Sequence, residues 1–516
     1  MKKIVLPLLI AVCFGSLSCK TPRSAGGITK DDGQIDITLM QVNDVYEIAP
    51  IEGGKTGGMA RVATLKKQHL QINPNTLLIM AGDFVSPSIY NSLKVGGRRI
   101  RGQQMIEAMN AAGTDIAIFG NHEFDVNESE LQARLNESRF DWVASNAFHK
   151  RGDTVTPFIK ETAIEKKSLP QSYIRTFTDA DGTTARIGFI GLTLPFNKAA
   201  YVSYTDPATT ADSLYQRIKD SCDAVVPITH QVLQDDRLLA AKLPRLALII
   251  GGHEHDMHFE KVGSVYITKA HSNARSAYLI KLTINKRNKA VTAIPELKML
   301  DTSVALDPQT DSVVKRWTAI AEQNYDSLGF EADKVVLAKG EPLDGREAEI
   351  RRAPTNFSKH IVKAIEQAVP AADVALLNSG SIRVDDVLQL PVTQYDILRS
   401  LPFGGGIVEV DMKGRLLVQI LDAGRNNKGL GGYLVYSSNV QYNEASKQWS
   451  VMNGPVENDK IYKVAMPDFL MTGGETNMGF LTKNNPDVVK LYPAVTDITD
   501  PRSDIRQAII RYFEKL

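Results

Sequence analysis

Between residues 35 and 252 the chain repeats one pattern, in which a short apolar run stops abruptly at a glycine or a polar residue. The runs are IDITLMQV (35–42), TLLIMAG (76–82), IAIFG (116–120), ARIGFIGL (185–192), AVVPIT (224–229) and LALIIGG (246–252), each five to eight residues long. Runs this short and this apolar read as strands covered on both faces, not as half-solvated ones. Between them, GGMARVATLKKQHL (57–70) and GQQMIEAMNAAG (102–113) have helical spacing. Buried strands alternating with helices predict a layered α/β domain of roughly 260 residues. In open α/β folds the site forms where strands end.

The residues at those strand ends carry chemistry. Asn43-Asp44-Val45-Tyr46, Gly82-Asp83, Gly120-Asn121-His122-Glu123-Phe124-Asp125, Thr229-His230 and Gly252-His253-Glu254-His255 each put a metal-capable side chain just after an apolar run. Taken singly each has an ordinary reading: a turn, a helix cap or a chance His-x-His. Jointly, carboxylates, one amide and several imidazoles suit two hard-to-borderline cations that share a bridging ligand. Such a pair, ~3.5–4 Å apart, clamps a phosphate and acidifies a water for in-line attack.

The series resembles the calcineurin-like metallophosphoesterases, with GNHEFD and GHxH as its most specific parts. The resemblance extends through GGMARVATL (57–65) and WVASNAF (142–148). It implies a four-layer α/β/β/α sandwich over residues 35–300 and two divalent ions, among which Mn, Zn, Co, Mg and Fe are not distinguished. In that family the aspartate matching Asp83 bridges both ions. Asn121, His230 and His253 then complete one ion, and Asp44 and His255 serve the other. His122 matches the catalytic histidine, which stabilises the transition state or protonates the leaving oxygen, and Asp125 the carboxylate that orients it. One position departs: the family's first motif is Asp-x-His, and here Asp44-Val45 is followed by Tyr46. The preferred reading is that Tyr46 packs and leaves one ion a ligand short. The alternative is a phenolate ligand, which favours a trivalent metal.

Residues 301–335 change to a charged helical pattern and read as a linker. Beyond it, VALLN (374–378), GGIVEVDM (405–412), YLVYSSNV (433–440) and YKVAM (462–466) read as strands of a second α/β domain, residues 336–516. Asn378-Ser379-Gly380-Ser381-Ile382-Arg383, Leu401-Pro402-Phe403-Gly404-Gly405 and DFLMTGG (468–474) resemble the C-terminal domain of 5′-nucleotidases. The resemblance implies that Asn378 and Arg383 hold a nucleotide and that two aromatic rings stack on its base. Phe403 matches the first ring, and Phe480, displaced by a short insertion, is the expected second. Arg351 or Arg352 matches a further substrate arginine. The plain alternatives are core filler for Phe403 and solvated charge for Arg351 and Arg352.

Residues 1–18 have a charged start (Lys2, Lys3), an apolar run and a small-residue approach to Cys19. This is the layout of a secretory signal. Ending at a cysteine, it resembles a lipoprotein signal, so Cys19 is the expected lipid anchor, residues 19–34 a flexible tether, and the location periplasmic or at the cell surface. Without the signal the chain holds 58 basic and 59 acidic residues, which excludes a basic surplus suited to nucleic acid. The leading expectation is hydrolysis of 5′-nucleoside monophosphates outside the cytoplasm. The alternatives are a 2′,3′-cyclic-nucleotide phosphodiesterase, a UDP-sugar hydrolase, a general phosphomonoesterase, or a nucleotide-binding lipoprotein without turnover. Oligomeric state is left open.

Overall fold

The computed structural model describes residues 31–516 apart from residues 197 and 198. The expected signal, Cys19 and most of the tether lie outside the described residues. The end of the tether is tied to the turn before Thr184: Thr183 Oγ1 donates to Asp31 Oδ1 at 2.7 Å.

The first strand, Gln34–Val42, shows why both its faces must be covered. Ile35, Ile37 and Leu39 point into one apolar cluster, and Met40 and Val42 into another. It lies at the centre of a six-stranded sheet, between Ser276–Asn285 on one side and Thr76–Met80 on the other, with Ala290–Met299, Ile116–Ala117 and Asp141–Trp142 completing the order. A second six-stranded sheet runs Ser172–Thr178, Thr184–Thr193, Ala224–His230, Leu248–Gly252, Val265–Lys269, His258–Val262. The two sheets bury Ile37, Leu77, Ile79, Phe189, Ile228 and Ile250 against one another. Each such side chain contributes about 1.5–3 kcal/mol. Helices cover the outer faces, giving a mixed α/β sandwich of four layers.

The expected linker is docked onto this sandwich. Helix Pro308–Ser327 packs on Met59–Ile72 and Gln103–Ala112. Its Trp317 Nε1 donates to Glu107 Oε2 at 2.9 Å, and its Tyr325 hydroxyl donates to the carbonyl of Ile89 at 2.9 Å. It thus belongs to the outer helical layer of the first part.

The second part is built on a five-stranded sheet ordered Leu434–Tyr436, Val374–Asn378, Ile461–Pro467, Ile407–Lys413, Val488–Leu491. The amphipathic helices Asn356–Ala368 and Gly414–Asn426 pack against it, and Ile505–Phe513 packs on Asn356–Ala368. Leu516 lies beyond that last helix and is exposed. No helix among the described residues is long and apolar enough to cross a membrane.

Candidate active site

Gln34–Val42, Thr76–Met80 and Ile116–Ala117 are adjacent parallel strands of one sheet, and Ala224–His230 and Leu248–Gly252 of the other. Their carboxyl ends therefore meet at one rim. Hydrogen bonds lock the two rims together: His230 Nδ1 donates to the carbonyl of Ala81 at 2.8 Å, Gln41 Nε2 to that of Gly251 at 2.8 Å, and the amide of His253 to Asp44 Oδ2 at 3.0 Å.

The backbone at this rim is forced. Asp44, Asp83 and His253 have φ of 52°, 55° and 87°, a left-handed region that costs non-glycine residues ~1–3 kcal/mol and gathers at functional sites. Gly120 is fixed by close approach, because a Cβ there would lie 2.1 Å from Asp83 Oδ1. Glu123 explains how the tight Asp83 turn holds. It is fully buried, and its two oxygens accept from the amides of Asp83, Phe84, Val85 and Gly120 at 2.6–2.9 Å. Burial, with Asp83 adding, pushes its carboxyl up to about 7. The sequence reading assigned Glu123 no role. In the sequence it is one more polar residue between His122 and Asp125, with nothing to mark it as buried.

Five of the six expected ligand side chains, all but Asn121, are tied together by short distances. Asp83 Oδ2 is 3.0 Å from His230 Nε2, and the ligand atoms of Asp83, His230 and His253 all lie within 4.8 Å of one another. Asp44 Oδ1 is 3.7 Å from His230 Nε2 and 3.6 Å from His255 Nε2. The Tyr46 ring is 6% exposed, so it does pack, yet its hydroxyl enters the cluster. It lies 3.0 Å from His255 Nε2, 3.3 Å from Asp83 Oδ2 and 3.5 Å from Asp44 Oδ1. The ring thus packs as expected, while its hydroxyl lies among the expected ligand atoms. Burial, reinforced by Asp83 and Asp44, holds its phenol well above the ordinary value.

These donors fit cations. Asn121 Oδ1 is buried with no hydrogen-bond partner, an arrangement that costs free energy unless something binds there. The carboxylates also draw positive charge from whatever lies between them. Burial pulls the His230 imidazole down, but Asp83 and Asp44 outweigh it and lift it to about 10. Burial and the neighbouring His230 instead push His253 well below its usual value.

Behind the cluster, Lys269 is fully buried. Its Nζ donates to the carbonyls of Gln231 (2.6 Å) and Gly252 (2.8 Å), pairs with Asp236 Oδ2 at 2.8 Å and also meets Glu254. It pins the residue after His230 to the residue before His253. A lysine closing an apolar strand gave no hint of this in the sequence.

His122 stands at the open side. Its amide donates to Asp83 Oδ1 at 2.8 Å, and its Nδ1 lies 2.7 Å from Asp125 Oδ2. Burial pulls this imidazole down, but Asp125 and Asp83 prevail and raise it to about 9. The second domain reaches in here. Arg383 Nη2 is 3.1 Å from His122 Nδ1 and 3.5 Å from Asp125 Oδ2. An Nδ1 that gives its hydrogen to Asp125 accepts none, so the guanidinium is held chiefly by the carboxylate.

Arg383 also lines a cavity of about 690 Å³ in the second domain, with Asn378, Phe403, Phe469 and Glu475. Phe403 is 56% exposed and so is not core filler. The expected second ring is corrected: Phe480 is half-buried against the core of the second domain and does not line the cavity. Its place is taken by Phe469, 46% exposed, because the turn from Gly473 to Gly479 folds Phe480 back onto apolar neighbours. Asn378 is committed within the protein, its Nδ2 donating to Glu475 Oε2 and its Oδ1 accepting from Ser381 Oγ, both at 2.7 Å. Arg351 and Arg352 line a different cleft of about 850 Å³, beside His253 and His255. There Arg351 pairs with Glu347 Oε1 at 2.6 Å.

Comparisons with known proteins find the same two domains in the same order. A calcineurin-like phosphoesterase model matches residues 37–257, and a model of the 5′-nucleotidase C-terminal domain matches residues 335–482. The chain is 22% identical to 5′-nucleotidase of Bos taurus over 502 residues, covering 85% of this chain and 83% of that protein. It is 25% identical to Protein UshA of Yersinia enterocolitica over 505 residues, covering 86% of each. Among solved structures, the 5′-nucleotidase precursor from Thermus thermophilus superposes with a TM-score of 0.66 at 20% identity, covering 93% of this chain and 96% of that one. At that identity the likeness speaks for the fold.

Proposed function

Because this chain belongs to the calcineurin-like phosphoesterases that carry a 5′-nucleotidase C-terminal domain, and is a metal-dependent phosphoester hydrolase, we propose that it removes phosphate from nucleotides, 5′-nucleoside monophosphates foremost. The observation that carries this reading is the position of Arg383, which lines both the small cavity holding Asp83, His122 and His255 and the cavity holding Phe403 and Phe469. One molecule with a phosphate at one end and a flat ring at the other spans the two.

In this reading two metal ions would be held, one by Asp83, Asn121, His230 and His253, the other by Asp44, Asp83 and His255. They supply charge neutralisation at the phosphate and an acidified water. Asp125 takes the Nδ1 hydrogen of His122 and so leaves Nε2 facing outward, able to give a proton to the departing oxygen. Arg383 offers the phosphate a guanidinium already oriented by Asp125. Phe403 and Phe469 offer π-faces for a base, a contact worth ~1–3 kcal/mol and tolerant of base identity. A second reading, a UDP-sugar hydrolase, draws support from the roughly 850 Å³ cleft beside His253 and His255, which has room for a group beyond the scissile phosphate. We further propose export and anchoring through Cys19. Cys19→Ser then moves the protein from the membrane fraction to the soluble one.

The test is phosphate release from AMP, a 2′,3′-cyclic nucleotide, UDP-glucose and p-nitrophenyl phosphate with each of Mn²⁺, Co²⁺, Zn²⁺ and Mg²⁺. The reading expects AMP to give the highest kcat/KM. Equal KM for AMP and p-nitrophenyl phosphate would remove the case for base recognition.

A further inference from the structure

We propose that Tyr46 is itself a metal ligand, bound through its phenolate oxygen, and that the donor set it completes favours a hard, highly charged cation such as ferric iron. The proposal rests on the metal-dependent reading above and concerns which ion this chain selects.

The first observation is spacing. Two atoms bonded to one ion at ~2.0–2.2 Å sit about 3.0 Å apart at a right angle and about 3.4 Å apart at the tetrahedral angle. The Tyr46 hydroxyl lies 3.0, 3.3 and 3.5 Å from His255 Nε2, Asp83 Oδ2 and Asp44 Oδ1, and Asp44 Oδ1 lies 3.6 Å from His255 Nε2. These are the edges of a coordination shell.

The second is hydrogen-bond supply. A phenol has one hydrogen to give, and three lone-pair-bearing atoms crowd this one. Tyr325, buried elsewhere in the same domain, shows the ordinary solution, a single bond to the carbonyl of Ile89 at 2.9 Å. Tyr46 is also buried, but its hydroxyl is aimed among two carboxylates and an imidazole instead of at a single carbonyl.

The third is charge. With Tyr46 ionised, its set holds Asp44, the phenolate, the shared Asp83 and a neutral imidazole. The neighbouring set holds the shared Asp83, the Asn121 amide and the imidazoles of His230 and His253. The first set thus carries three anionic oxygens and the second one. Hard anionic oxygen donors favour hard, high-charge ions, whereas imidazole suits borderline divalent ones. On ligation the Tyr46 O–H bond breaks, its proton leaves to solvent, and the freed oxygen lone pair forms the bond to the ion. Ferric iron enters as such, so no oxidant is consumed.

The experiment strips the full-length protein with a chelator and reloads it with ferric iron or with Zn²⁺, substrate absent, with bound metal measured by elemental analysis. Iron-loaded wild type is expected to show a visible tyrosinate-to-iron charge-transfer band, and zinc-loaded wild type a near-ultraviolet tyrosinate difference band. Tyr46→Phe is expected to lose both and to bind one ion at least about 10-fold more weakly. Tyr46→His, which supplies an imidazole instead, is expected to retain two ions without either band. Metal-loaded wild type lacking both bands, or Tyr46→Phe retaining them, overturns the proposal. Wild type that takes up zinc but no iron overturns its ferric preference. Because the bands are read without turnover, their failure leaves the nucleotidase reading intact. A correct band on a protein inactive toward nucleotides counts against that reading alone.

Discussion

Asp385, from the second domain, holds its Oδ2 3.1 Å from Nδ1 of His255, a candidate ligand of the first domain. Burial pulls the His255 imidazole down, and Asp385 with Asp44 outweighs that and raises it. The contact is an ion-pair distance and not an aligned hydrogen bond, but a carboxylate beside Nδ1 favours the hydrogen there and leaves Nε2 free toward the metal cluster, and partners of this kind are worth about 10–100-fold in metal affinity. Here the partner arrives only when the two domains are docked. Asp385→Asn is therefore expected to weaken one of the two ions by about 10- to 100-fold in a chelator competition, with the other ion unaffected. Equal retention of both ions by the variant would show that docking does not orient His255.

Lys269 offers a test within the first domain alone. Replacing it with methionine leaves Asp236 fully buried without its cation and frees the carbonyls of Gln231 and Gly252. Breaking a buried ion pair by removing one partner costs ~3–5 kcal/mol. Lys269→Met should lower Tm by several degrees and loosen binding of the one ion served by His230 and His253. An unchanged Tm and unchanged metal affinity together would remove the pinning role.

The two rings of the second domain separate recognition from chemistry. Phe403→Ala and Phe469→Ala are each expected to raise KM for AMP by about 5- to 100-fold, the equivalent of ~1–3 kcal/mol of stacking. KM for p-nitrophenyl phosphate should stay within about twofold. Phe480→Ala should lower stability and leave the KM for AMP in place. Were Phe480→Ala to raise KM like Phe403→Ala, the assignment of Phe469 would be wrong.

Glu47 gives a pH signature. It is buried, its Oε2 accepts from the Tyr395 hydroxyl of the second domain at 3.0 Å, and burial pushes its carboxyl from 4.5 to about 7. Below about pH 4.5 the carboxyl is protonated in both folded and unfolded chains. Between 4.5 and about 7 the unfolded chain gives up the proton while the folded one keeps it, so this residue's contribution to stability is lost as pH rises through that window. The loss is on the order of 2–3 kcal/mol. Glu47→Gln still accepts from Tyr395 but does not titrate. Unfolding midpoints in urea from pH 4.5 to 8 should fall more steeply for wild type than for Glu47→Gln. Parallel profiles would rule out the raised carboxyl.

Much of the first domain was legible in order because its signal is periodic. Apolar runs such as TLLIM and LALII mark strands, and parallel strands can end only at a common rim, so Asp44, Asp83, Asn121, His230, His253 and His255 had to gather. What stayed hidden was of two kinds. Glu123 and Lys269 act by satisfying backbone groups from buried positions, and neither an acid inside a polar motif nor a lysine at the end of an apolar run announces such a partner. Phe469 and Phe480 differ only in how one loop turns. The sequence spacing shows the insertion at Glu475, but which ring faces the cavity is set by how Phe480 packs against the core of the second domain. Asp385 was hidden for a third reason: its partner is some 130 residues away, across a domain boundary.

The candidate metal centre is shared between two sheets. Asp44, Asp83 and Asn121 ride on one, His230, His253 and His255 on the other, and the gap between them is set by the thickness of the apolar filling together with the hydrogen bonds that tie the two rims. The sandwich works as a calliper whose jaws are the ligands. A methylene removed from Phe189 or Ile228, far from any reacting atom, closes or skews those jaws, so the choice of ion is written as much into the oily interior as into the residues that touch it.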